Sequence, residues 1–78
     1  MNKSTLLKTL QREGFRSDCY DLNGGLLPER LTLANEAGQW CVYYSERGQQ
    51  TGKRFFATES EACEYMLSEL RDEPSAKA

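Results

Sequence analysis

The chain has 78 residues, 38% of them hydrophobic and 28% charged, with a formal net charge of -2 and no histidine. That length holds one domain, which buries only about 60% of the surface its unfolded chain exposes, and the composition excludes the low-hydrophobicity signature of disorder. No stretch approaches the ~20 apolar residues that span a bilayer, and the opening Met-Asn-Lys-Ser-Thr-Leu-Leu-Lys lacks the apolar core of a signal peptide, so no membrane partner and a cytoplasmic location are expected.

Residues 3–13 read as a short helix, because Leu6, Leu7 and Leu10 form one apolar stripe between Lys8, Arg12 and Glu13. Gly14 stands where a helix ends in the left-handed conformation, and Phe15 is placed to pack back on Leu10. From Phe15 to Arg30 the pattern is irregular. Asn23-Gly24-Gly25 is its strongest turn signal, Pro28 forbids a helix through Leu27, and Tyr20-Asp21-Leu22 suits a short edge strand.

Alternation then predicts strands at 31–34, 39–45 and 52–57, joined by a hairpin turn at 35–38 and a longer polar, glycine-marked turn at 46–52. Thr58 and Glu61 make a capping box, and Glu59 and Glu61 lie where the dipole of a helix starting at 59 favours negative charge. Ala62, Cys63, Met66, Leu67 and Leu70 share one stripe of that helix, and Pro74 closes the domain. The expected fold is α+β: a helix, a three- or four-stranded antiparallel sheet and a second helix. Both helices lie on one sheet face and leave the other open. Residues 1–73 form the domain and 74–78 a flexible tail.

Enzyme chemistry lacks its usual residues. With no histidine the commonest general base is missing, and no glycine-rich phosphate loop follows Gly24-Gly25. Cys19, Cys41 and Cys63 are an odd count without a Cys-x-x-Cys pair, so neither a disulfide framework nor a zinc site is supported and small buried thiols are expected. Glu59 with Glu61, and Asp72 with Glu73, read as a solvated helix face. No catalytic, cofactor or metal residue is assigned.

What remains is surface. Trp40 to Ser45 runs Trp-Cys-Val-Tyr-Tyr-Ser, which on a strand puts bulky groups on both sides of the sheet, with Trp40, Val42 and Tyr44 on one and Cys41, Tyr43 and Ser45 on the other. The helices are expected over Val42, yet Trp40 or Tyr44 equally suits the exposed anchor. Residues 59–73 carry a local charge of -5 on a body whose residues 1–58 sum to +2, an arrangement that attracts basic protein partners and repels phosphate. Tyr, Trp and Arg dominate interface hot spots. The candidate partner-binding residues are therefore Trp40, Tyr43, Tyr44, Glu46, Arg47, Arg54, Glu59 and Glu61.

The rival is a small nucleic-acid-binding module, because the α-β-β-β-α order is also that of the double-stranded-RNA-binding domain. That family grips phosphates with lysines at the start of its second helix, where this chain has Glu59 and Glu61. Stacking of unpaired bases on the aromatic strand, with Arg47, Lys53 and Arg54 on phosphate, is the form of nucleic-acid binding left open. It is the disfavoured reading.

Across Gly24-Gly25-Leu26-Leu27-Pro28, Trp40 to Gly48, Phe55 or Phe56, and Glu61 to Tyr65, the chain resembles small bacterial immunity proteins of polymorphic toxin systems. Some of these look like partners of NAD-glycohydrolase toxins of the tuberculosis-necrotizing-toxin type. The resemblance implies a cytoplasmic antidote that binds a cognate toxin and blocks its active site, in competition between bacteria by contact-dependent inhibition. It carries no functional residues over to this chain.

Overall fold

A computed structural model describes residues 1–77. In chain order these are α1 (Lys3–Arg12), a 3-10 turn (Ser17–Cys19), β1 (Tyr20–Asp21), β2 (Arg30–Glu36), β3 (Gln39–Glu46), β4 (Gln49–Phe56), α2 (Glu59–Arg71) and a second 3-10 turn (Pro74–Ala76). The Cα envelope of 33 × 29 × 18 Å is thin enough for one sheet and one layer of helices.

Local chemistry sets both helices. Asn2 caps α1, its Oδ1 accepting from the Thr5 amide at 2.8 Å. Beyond the last turn the Gly14 amide donates to the Gln11 carbonyl at 3.2 Å and the Phe15 amide to the Leu10 carbonyl at 3.0 Å, with Gly14 at φ 80. This is a Schellman stop, and it folds Phe15 into the core beside Leu10. At the start of α2 the Thr58 Oγ1 accepts from the Glu61 amide at 3.1 Å, the N-cap half of the expected capping box, while the Glu61 carboxylate accepts from the Thr58 hydroxyl at 3.2 Å rather than from its backbone amide. Arg71 clasps the Glu13 carboxylate through Nε and Nη2, pinning the C-terminal ends of the two helices together.

The sheet has the order β1-β2-β3-β4. It is mixed rather than antiparallel, because β1 runs parallel to β2 with Tyr20 opposite Leu31 and Asp21 opposite Thr32. Two parallel neighbours cannot be joined by a hairpin, so residues 22–29 carry the chain back as a crossover. Both remaining connections are two-residue turns, Ala37-Gly38 and Arg47-Gly48, with positive φ at each position. The second hairpin is therefore tighter than expected, and β4 starts at Gln49 instead of 52. Gln49, Gln50 and Thr51 are all exposed, so no apolar alternation marked them as strand. Between Val42 and Tyr44 the β3–β4 register slips by one residue, a bulge that accommodates Gly52 and Lys53 opposite Tyr43.

The helices fill one face. Leu6 and Leu10 of α1 and Ala62, Cys63, Met66, Leu67 and Leu70 of α2 share a single core with Leu33 and Val42 of the sheet. Leu31, Trp40 and Phe56 seal its margin.

The opposite face was expected to be open, and the crossover covers its β2 and β3 part while β4 stays exposed at Phe55. Gly24 lies so close to β2 that a Cβ there would sit 3.1 Å from the Ala34 Cβ. The Tyr43 hydroxyl donates to the Gly25 carbonyl at 2.7 Å, and the Ser45 hydroxyl reaches the Leu27 and Arg30 carbonyls. Thr32, Ala34, Cys41, Tyr43 and Ser45 are buried in consequence. The expected flexible tail is likewise tied down over 74–77, where the Arg16 amide donates to the Ala76 carbonyl at 2.8 Å, Ala76 is buried and Lys77 pairs with Phe15. Ala78, the end of that expected tail, lies outside the described residues.

Gly14 and Gly24, two of the five glycines at positive φ, make a paired test. Gly14→Ala meets open space and strains only the backbone, so it is expected to lower stability by about 1 kcal/mol in urea unfolding. Gly24→Ala adds a methyl pressed on Ala34 and is expected to cost roughly 2–3 kcal/mol. Equal costs would mean that the crossover does not rest on β2.

Candidate functional site

The bulged hairpin distributes the predicted residues instead of gathering them. Tyr43, expected at the surface, is 2% exposed, and the crossover uses its hydroxyl, so its ring offers nothing to a partner. Trp40 is half-buried against the margin of the core, opposite Phe56. Beside it Phe56 meets Tyr65 of α2 with ring centroids 5.1 Å apart, and the exposed Arg54 holds its guanidinium 5.6 Å from the Tyr65 centroid. Arg47 stands exposed at the tip of the β3–β4 turn, and Glu46 just before it is half-buried. Glu59 and Glu61 have local work: Glu59 accepts from the Lys3 amide at 2.8 Å, and Glu61 accepts from the hydroxyl of the Thr58 cap.

Tyr44 alone among the hairpin tyrosines is exposed, at 37%. It shares the helix face with Trp40 but lies four residues along β3, which is about 13 Å at strand spacing. The chain leaves β4 beside Trp40, so the last turns of α2 come to lie against Tyr44. There Glu69 of α2, Glu73 and Ser75 of the following turn, Glu29 and Cys19 close a cleft of about 350 Å³ around the ring.

Three carboxylates line that cleft and no basic side chain does. Desolvation, reinforced by the nearby Glu29 and Glu46 charges, raises the Tyr44 phenol above its ordinary value, so the hydroxyl stays protonated and able to donate. Hydrogen bonds from the Ser75 hydroxyl at 2.7 Å and amide at 3.2 Å hold the Glu73 carboxyl below the usual range, which keeps it charged. Desolvation pushes the Cys19 thiol up, away from the thiolate that nucleophilic chemistry requires. The cleft is thus built to hold a cation against an aromatic ring and carboxylate acceptors.

Glu29, Glu69, Glu73 and Cys19 were not among the partner-binding residues expected from sequence. Glu69 and Glu73 belong to the acidic run that was recognised, whereas Glu29 is brought in by the crossover and sits at φ 56, which no local pattern announces.

On the other face the Lys53 ammonium sits 5.6 Å from the Tyr43 ring centroid and 5.4 Å from that of Phe55. It bonds the Glu36 carboxylate and the Gln50 amide oxygen, and Gln50 donates back to Glu36 at 3.0 Å. Phe55, cross-strand from Cys41, remains 55% exposed beside this network.

Among the described residues no three His, Cys, Asp or Glu side chains come together to hold a metal ion, and no helix is long and apolar enough to cross a membrane. No family model, curated protein or solved structure matches this chain.

The Glu36 network makes a pH prediction. The Lys53 bond, then that of Gln50, holds the Glu36 carboxyl below the ordinary glutamate range, so its stabilisation is complete above that range and disappears as pH falls through the lowered folded value. Urea unfolding of the wild type is expected to show a loss of stability between neutral pH and about pH 3 that is smaller in Lys53→Met. An identical acid loss in both proteins would remove the network from the account.

Proposed function

We propose that the chain is a binding protein of the immunity type, which neutralises a cognate bacterial toxin by occupying its active site and performs no chemistry of its own. The observation that carries this reading is Tyr44: an exposed aromatic ring set in a cleft whose charged groups are all carboxylates. Enzymes that act on phosphate-bearing substrates keep positive clefts. A lysine or arginine from such a cleft would lie on the Tyr44 ring and exchange water for Glu29, Glu69 and Glu73. The acidic run of α2 would supply the longer-range attraction that speeds encounter.

Two further features support a protein partner over a nucleic acid. The start of α2 presents Glu59 and Glu61, which repel phosphate, and Tyr43 is withdrawn from any stacking platform. The resemblance to immunity proteins points the same way and suggests an NAD glycohydrolase as the target. Arg47, at the exposed tip of the hairpin beyond Tyr44, extends the proposed contact and adds planar donors at its rim.

A pull-down from the native host, with identification of the bound protein, supplies the partner for measurement. Tyr44→Ala is expected to weaken binding by ~2 kcal/mol or more, about thirtyfold in Kd, with a comparable loss for Arg47→Ala if the tip is in contact. Glu69→Lys is expected to lower the association rate and its salt dependence. Retention of full affinity by all three variants would move the interface elsewhere, and salt-sensitive binding to RNA with no protein captured would overturn the reading.

A further inference from the structure

We propose that the groove between α1 and the 22–29 crossover is a second docking site, shaped for a protein segment in which a leucine-like side chain stands beside a carboxylate. It goes beyond the toxin-binding reading, because it shares no lining residue with the Tyr44 cleft and takes the opposite charge.

The groove measures about 520 Å³ and has Leu7 on the α1 side and Leu27 on the crossover side. Leu7 is 37% exposed, Leu27 46%, and Leu26, next in the chain, 50%. Half of the large exposed apolar side chains among the described residues therefore lie at or beside this one feature. Exposed apolar groups concentrated at a concave site with charged margins mark a docking surface rather than ordinary scatter.

The charges select the occupant. Arg30 and Lys3 both line the groove and neither forms an ion pair among the described residues. Lys3 reaches only the Asn23 amide oxygen, at 3.3 Å. Arg30 donates through Nη1 to the Ser17 carbonyl at 3.3 Å, while its Nε, shut off from water, has no partner at all. Asp21 is the one acid of the lining, and its Oδ1 already accepts from the Asn23 amide at 2.9 Å. A basic segment would meet Lys3 and Arg30 against the single carboxylate of Asp21, a net positive lining, and a purely apolar one would cover a guanidinium whose one bond is to the Ser17 carbonyl. A carboxylate beside an apolar anchor satisfies both parts of the groove, since a guanidinium takes a carboxylate through paired N–H groups.

Short random peptides displayed on phage and panned against the folded chain provide the test, with enriched sequences synthesised and titrated by fluorescence anisotropy. The expected result is enrichment of Leu, Ile or Phe next to Asp or Glu. Affinity should fall about tenfold or more in Arg30→Gln and in Leu27→Asp, and stay unchanged in Glu69→Gln. Leu27 is an exposed crossover residue and Leu7→Glu offers an independent exposed substitution on α1, with thermal melts confirming that each variant is folded. No enriched sequence, enrichment of basic sequences, or equal affinity for wild type, Arg30→Gln, Leu27→Asp and Leu7→Glu would overturn the proposal. Loss confined to Glu69→Gln would assign the peptides to the Tyr44 cleft and likewise overturn it.

Discussion

The structure depends on the crossover that lies across the sheet. Because β1 and β2 run parallel, the chain must return over a face, and the helices already occupy one of them. The return segment has no regular structure, so its carbonyls need partners from elsewhere. Tyr43 and Ser45 supply them, donating their hydroxyls to Gly25 and Leu27, and this explains why polar side chains occur at buried positions of a central strand. Removing either hydroxyl would take that bond from a part-buried carbonyl, at a cost of about 1 kcal/mol.

That arrangement decides which surface is left for partners. The aromatic run of β3 is divided among three duties: Trp40 seals the margin of the core, Tyr43 anchors the crossover, and Tyr44 faces solvent. The acidic run of α2 is divided in the same way. Glu59 and Glu61 stabilise helix starts, whereas Glu69 and Glu73 reach the cleft around Tyr44. The crossover itself contributes at both proposed sites, giving Glu29 to the acidic cleft and Leu27 to the groove on the other side. One irregular segment thereby separates a cation-seeking surface from a carboxylate-seeking one on a chain of 78 residues.

Much of the fold was legible because its signals are local. The start of α2 followed from Thr58 and Glu61, the end of α1 from Gly14, and the buried stripe of α2 from the spacing of Ala62, Cys63, Met66, Leu67 and Leu70, since each depends on residues within a turn or two. Tyr20-Asp21 was legible as a strand but its direction was not, because pairing direction is set by what lies beside a strand rather than within it. The same holds for β4, whose first three residues carry no apolar alternation and are strand only through their pairing with β3.

Of the candidate site, the sequence by itself determined the ingredients: an aromatic strand, an acidic last helix and no histidine. Period-two alternation even sorted Tyr43 from Tyr44 correctly between faces. Only the tertiary structure decided which of the two would be covered, because that turns on the path of residues 22–29, and a connection with no periodicity encodes its route through long-range carbonyl partners and one close glycine contact rather than through any local pattern.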